Sequence, residues 1–251
     1  MNHKELFIGK SENYANYRPS YPKELILAAM KEIRLPPGAK VADIGSGTGI
    51  LTRLLLEGSY QVYAVEPNDE MRMRAEKELA EYGMLVSISG SAEDTGLSSG
   101  TIDFITAAQA FHWFDKEGFR RECKRIGKPD VTVMLIWNSR DPDSEFVKEN
   151  AQICKKFCPN FRGFSGGHNY LSEDISAFFR DGIYETVRID NPQYYDLSGF
   201  IGRNLSASYS LTPSDRDYQD FVFALRTLFA VYASDGIACM PHYAYSYWGK
   251  V

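Results

Sequence analysis

The residues whose types and spacing can do chemistry gather first at Val41-Ala42-Asp43-Ile44-Gly45-Ser46-Gly47-Thr48-Gly49, with an acidic residue, Glu66, seventeen positions after Gly49. Glycines in a strand-to-helix turn let a ligand approach the backbone closely, and a carboxylate at the tip of the next strand can accept both hydroxyls of a ribose. The ligand expected from this pair contains a nucleoside. The run reads G-x-G-x-G, with Ile50 where a dinucleotide fingerprint would carry its third glycine, and no G-x-x-x-x-G-K-[ST] follows. Asp43, two residues before the first glycine, would repel a pyrophosphate and suits an amine. Together these features favour a nucleoside that bears an amino acid and a sulfonium.

The elements that must position these residues alternate through the first half. Pro22 opens an amphipathic run with Leu25, Ile26, Ala29, Met30 and Ile33 at helical spacing, stopped by Pro36-Pro37-Gly38. A buried strand over 40–44 then leads through the glycines into a helix that Gly58 closes. Residues 61–66 read as strand, and Asn68 caps a helix with Met71, Ala75, Leu79 and Tyr82 inward. Strands over 85–90 and 101–108, a helix around 114–126 and a strand over 131–138 complete a βα alternation, which signals a parallel sheet covered on both faces. The second half is less regular: helices near 144–158 and 172–180, a strand over 184–190, helices near 196–206 and 214–234, and a final aromatic strand over 237–248, expected to return antiparallel.

Composition narrows the class. The 251 residues carry 28 Lys+Arg against 33 Asp+Glu, a net charge of −5, and 44% are hydrophobic. A chain this long buries a core without disulfide or metal staples. Cys123, Cys154, Cys158 and Cys239 form no C-x-x-C pair, so no metal is expected. The opening MNHKELFIGKSENY has no leader pattern and no apolar run is long enough to span a bilayer, so no membrane association and a reduced cytoplasm are expected. The acidic balance argues against nucleic acid as partner. The basic stretch over 119–128 suits the solvated face of a helix whose other side is Phe119, Cys123 and Ile126.

Asp43, Gly45, Gly47 and Gly49 match the first motif of the class I S-adenosylmethionine-dependent methyltransferases, and the chain resembles that family over roughly residues 12–138. The resemblance implies S-adenosyl-L-methionine as cofactor, Ser46 within its loop, Glu66 with Pro67 as the ribose-binding position, and Met71 against adenine. Gly90-Ser91-Ala92-Glu93-Asp94 is similar to the family's loop after the third strand, which implies that Ser91, Ala92 and Glu93 read the adenine edge. A narrower resemblance rests on Tyr14 to Pro22 and on Gln109-Ala110-Phe111-His112-Trp113-Phe114-Asp115. These segments look like the small-molecule branch that includes the trans-aconitate and related carboxylate O-methyltransferases. It implies a lid of Tyr14, Tyr17 and Arg18 over the cofactor, with Gln109 also at the cofactor.

The fold so implied is a doubly wound α/β fold: a mostly parallel seven-stranded sheet with an antiparallel last strand and a helical cap. Residues 1–138 would form the lid and cofactor-binding core, 139–182 a cap insertion, and 183–251 the completion of the sheet, with a helical insertion near 196–234. Methyl transfer is an in-line displacement at a carbon already activated by sulfur, so the protein mainly aligns the acceptor and excludes water. His112 is the candidate catalytic residue, a base for a hydroxyl or amine acceptor, or a hydrogen-bond donor that orients a carboxylate. Trp113, Trp137, Arg140 and Tyr209, with Asn138, Arg203 and Ser206 nearby, are the expected acceptor contacts. His168, on a Gly-rich loop, reads as an exposed loop residue. The expectation is O-methylation of a small molecule, a carboxylate or hydroxyl, by a monomer or homodimer. An RNA methyltransferase, a nicotinamide-dependent oxidoreductase and a non-catalytic nucleoside-binding module remain as alternatives.

Overall fold

The computed structural model describes residues 19–164 and 171–251. Two compact units are built from interleaved stretches of chain. The sheet unit takes residues 20–137, 171–189 and 244–251; the helical unit takes 138–164 and 190–243, together with Pro19.

In chain order the elements are α1 (Lys23–Glu32), β1 (Lys40–Ile44), α2 (Ile50–Glu57), β2 (Gln61–Val65), α3 (Asp69–Glu78), β3 (Leu85–Ile88), β4 (Ile102–Ala108), a 3-10 turn over Phe111–Trp113, α4 (Lys116–Ile126) and β5 (Gly127–Arg140). There follow α5 (Glu145–Phe157), α6 (Leu171–Phe178), β6 (Glu185–Asp190), β7 (Gln193–Tyr195), α7 (Leu197–Leu205), α8 (Tyr218–Tyr232), β8 (Ala233–Ser234), β9 (Ile237–Met240) and β10 (His242–Lys250). Seven strands form one sheet in the order β3-β2-β1-β4-β5-β10-β6, and β7, β9 and β8 form a second, three-stranded sheet. β1 pairs in parallel with β2 and β4, β2 with β3, and β4 with β5. β10 runs the other way: Asp141 N–H donates to Pro241 O at one end of the β5/β10 pair, while Lys250 approaches Asp130 at the other. The doubly wound, mostly parallel sheet with an antiparallel strand is therefore present as expected.

Alternation along β5 explains why the sheet is covered on both sides. Val133, Leu135 and Trp137 pack in one cluster with Phe119, Cys123 and Ile126 of α4 and with Ile175 and Phe178 of α6. Met134 and Ile136 face the other way, toward Leu25, Ile26 and Ala29 of α1 and Leu51 and Leu55 of α2. A strand buried on both faces reads as the continuous apolar run VTVMLIW. The helical unit has its own core, with Phe146, Phe200, Phe221, Leu225 and Met240 among its members.

Two boundaries differ from the sequence reading. The final aromatic run is not one strand: Pro241, which lacks a backbone donor, separates β9 in the small sheet from β10 in the large one. β5 begins directly after α4, at Gly127, four residues before the apolar run that marked it in the sequence.

The basic stretch on α4 carries one acid that is itself inside. Glu122, 5% exposed, accepts from the Thr95 backbone N–H at 2.8 Å, from the Thr95 hydroxyl at 2.6 Å, and from Arg125 Nε and Nη2 at 2.7 Å each. Burial pushes its carboxyl upward, but the Arg125 and Thr95 donors together outweigh that and bring it down to about 2 from 4.5. A carboxyl depressed in the folded state adds stability above its ordinary value, and that stability is lost as pH falls through the folded value. Thermal melts taken from pH 5 downward are therefore expected to show Glu122→Gln closing on the wild type as pH falls from about 4.5 toward 2. A constant difference between the two across that window would disprove the linkage.

Candidate functional site

The parallel register brings the carboxyl ends of β1, β2 and β4 to one edge, with Asp43 beside Ala64 and Thr106, and Ile44 beside Val65. Gly45 to Gly49, Glu66 and Gln109 all leave the sheet there. β1 lies at the point where the strand order reverses, the place where open α/β sheets bind ligands.

The loop turns tightly because β2 holds it: the N–H groups of Gly45 and Ser46 donate to Val65 O at 2.9 and 3.2 Å. Gly49 is the N-cap of α2 with φ +84°, and a Cβ there would meet Leu79 Cδ1 at 2.7 Å and Ala75 Cβ at 3.3 Å, so any other residue would be strained and would displace the Leu79 side chain. Gly47 differs. Its φ is +58°, yet among the described residues an added Cβ would meet only Met71 Sδ, at 3.9 Å. The glycine at 49 serves packing, while the one at 47 keeps a face open beside Met71.

Glu66 borders that open face. Its carboxylate, 7% exposed, accepts from Gly47 N–H at 2.9 Å and Asn68 N–H at 2.8 Å. Asn68 caps α3, its side chain accepting from Met71 N–H at 3.0 Å, which seats the buried Met71 at the start of that helix. Asp43 lies deeper, between α2 and β4, and is 1% exposed. It accepts from the hydroxyls of Thr52 at 2.7 Å and Thr106 at 3.0 Å. Burial raises its carboxyl to about 6; the two threonines oppose the rise, and the Glu66 charge adds to it. Asp43 thus braces the loop from behind through the two threonines. Thr52 and Thr106 were missed at the sequence level, although a hydroxyl within the buried strand IDFITAA was a usable signal.

The remaining positions divide. Ser91 and Asp94 close the turn after β3, by Ser91 N–H to Asp94 O at 3.0 Å and Asp94 N–H to Ser91 Oγ at 3.2 Å, with Ala92 buried between them. Glu93 is exposed and accepts from Asp115 N–H at 3.0 Å, tying this turn to the start of α4. Pro67 is half-buried in the link from β2 to α3. Gln109 holds φ +55°, uncommon for a residue with a side chain, and donates its N–H to Ile136 O. That kink swings the chain into the turn that presents His112 exposed and Trp113 half-buried, their rings 4.7 Å apart. Tyr14, Tyr17, Arg18 and His168 lie outside the described residues.

Trp137 is more deeply buried than Trp113, Arg140 or Tyr209. It is 1% exposed and packs edge-on against Phe111 and Tyr247, so it is a core ring of the sheet unit, with Nε1 buried and unpartnered among the described residues. Its place after Val133 and Leu135 in the alternation explains this. Arg140 and Tyr209 belong to the helical unit: Arg140 is buried, and Tyr209 packs edge-on with Phe161 at 4.8 Å. Among the described residues no group of three or more His, Cys, Asp or Glu could hold a metal, and no helix is long and apolar enough to cross a membrane.

Comparison with known proteins agrees with this frame. Residues 42–135 match the family model for a methyltransferase domain. An uncharacterized methyltransferase of Bacillus licheniformis is 38% identical over 167 residues, covering 64% of this chain and 71% of that protein. An uncharacterized methyltransferase of Mycobacterium bovis is 36% identical over 141 residues, and there the match covers 56% of this chain and 55% of the relative, so the chain spans little more than half of that relative's length. The same fold occurs in a structure from Anaeromyxobacter dehalogenans proposed to be a type II methyltransferase, with TM-score 0.65, 20% identity, and coverage of 93% of this chain and 98% of that one. It recurs in a SAM-dependent methyltransferase from Geobacter sulfurreducens solved with S-adenosyl-L-homocysteine, with TM-score 0.52, 16% identity, and coverage of 96% of each chain. The chain belongs to the class I S-adenosylmethionine-dependent methyltransferases.

Proposed function

We propose that this chain transfers the methyl group of S-adenosyl-L-methionine to an oxygen of a small molecule, a carboxylate or a hydroxyl. The observation that carries the cofactor side is the pair of acids on the glycine loop. Glu66 borders the open face of Gly47, and Asp43 sits behind it, close enough for the charge of Glu66 to oppose ionisation of Asp43. A loop so biased favours a cationic ligand with ribose hydroxyls and disfavours a pyrophosphate. Thr48 Oγ1, buried at the same turn with no partner among the described residues, is a further polar atom a ligand would satisfy.

In this reading Glu66 accepts the ribose hydroxyls, and Met71 with Ser91, Ala92 and Glu93 borders the adenine. Gly45, Ser46 and Gly47 line the amino-acid portion, with Pro67 and Gln109 at the margins. When bound, the cofactor supplies a methyl carbon made electrophilic by its positive sulfur. What the protein must do is align and desolvate. His112 either removes a proton from a hydroxyl acceptor or donates a hydrogen bond to a carboxylate, and Trp113 forms an apolar wall beside it. The net charge of −5 supports a small acceptor over nucleic acid, and the buried thiols of Cys123, Cys154 and Cys158, none in a disulfide, suit a reduced cytoplasm.

Calorimetric titration with S-adenosyl-L-homocysteine, with a reduced nicotinamide dinucleotide as control, tests the cofactor assignment. Saturable binding of the first alone is expected. Binding of the dinucleotide alone, or of neither, would defeat the proposal.

A further inference from the structure

The helical unit buries a positive charge that its own described residues do not neutralise. Arg140 is 7% exposed, and guanidinium cannot shed its proton to escape burial. Its Nε donates to Met240 Sδ at 3.3 Å, and Cζ stands 3.8 Å from the centre of the Phe164 ring. A thioether and an aromatic face are weak partners for a full charge. Nη2 is buried with no hydrogen-bond partner, and among the described residues Arg140 makes no ion pair. The nearest acid in sequence, Asp141, is taken up by Tyr243 OH and the Asp143 N–H.

A second cation adds to the field. Arg203, on the buried side of α7, is 5% exposed, and both guanidinium groups act on Cys154 and on His242. His242, 2% exposed, is held neutral first by burial and then by Arg140. Its Nδ1 lies 3.0 Å from Met240 O, and a carbonyl can only accept, so Nδ1 carries the proton. Nε2, buried without a partner, is therefore a vacant acceptor. Buried charge costs several kcal/mol unless an anion meets it.

We propose that Arg140 anchors a buried anion site in the helical unit, which takes the carboxylate of a small organic molecule, with Arg203 and neutral His242 beside it. A carboxylate fits because a guanidinium is a planar fork matched to two coplanar oxygens, and the Phe164 and Met240 surroundings suit a weakly hydrated carboxylate group better than a phosphate. The vacant His242 acceptor favours a ligand that carries an O–H next to its carboxylate. All of these groups belong to the helical unit. It goes beyond the methyl-transfer reading, whose failure in the homocysteine titration would leave it standing.

The test is thermal melting of the full chain without cofactor, in buffers of constant ionic strength made up with sodium chloride, against malate, succinate and inorganic phosphate. Saturable stabilisation by malate, weaker by succinate and absent with phosphate, is expected. Arg140→Met should raise the apparent Kd for malate about tenfold or more, whereas the exposed-site control Arg226→Met should not. No saturable response of the wild type to either carboxylate would overturn the proposal, and this needs no variant to fold. Equal stabilisation by phosphate, or a malate response undiminished in Arg140→Met, would overturn it as well.

Discussion

Glu66→Ala is expected to weaken S-adenosyl-L-homocysteine binding on the order of a hundredfold, the loss of two hydrogen bonds from ribose hydroxyls to an ionised acceptor. Calorimetric titration reads it directly. The carboxylate also accepts the N–H groups of Gly47 and Asn68, so part of the loss could come from a loosened loop. Glu66→Gln separates the two causes. It keeps an acceptor for one of those amides while giving up the charge, and it should lose most of the affinity with a smaller change in melting temperature. Unchanged affinity in both variants would remove Glu66 from the ribose position.

Asp43→Asn is expected to raise stability at neutral pH. The carboxyl of Asp43 is lifted from 3.8 to about 6, so at pH 7 the folded protein holds an ionised group that its surroundings disfavour, at a cost of about 3 kcal/mol. The sign is the reverse of Glu122. A raised carboxyl adds stability that is fully present below the unfolded value and lost as pH rises through the folded one. Wild-type melts should therefore fall between about pH 4 and 6 by a component that the variant lacks. The gain at neutral pH corresponds to roughly 6–12 °C in melting temperature for a domain of this size. The amide can still meet the hydroxyls of Thr52 and Thr106, but the loop loses a negative charge, and cofactor affinity should drop with it. A variant less stable than wild type at pH 7 would show that the carboxylate's hydrogen bonds outweigh its burial.

What could be read from the sequence was whatever is local. β1, β2, β4 and most of β5 announce themselves as short apolar runs between turn residues, and Pro22, Asn68 and Gly58 mark helix ends where the structure has them. The glycine loop and Glu66 were legible because seventeen residues of βα chain suffice to bring them together. Partners distant in sequence were not. Asp43 is fixed by Thr106, 63 positions on, and nothing in its own surroundings says that it turns inward. The small sheet escaped notice because β7 has three residues and β8 two, too few for any alternation to register. Arg140 meets Met240 across 100 positions, and His242 gains a role only beside that pair.

The strand order has a consequence for synthesis. β10 lies between β5 and β6, so β6 has no neighbour in the large sheet until a segment about fifty residues further along has left the ribosome. Until then β5, apolar on both faces, is an open edge that can template pairing with another nascent chain. Translation speed or a chaperone across that interval, rather than the stability of the finished sheet, would govern how much of this protein reaches its native state.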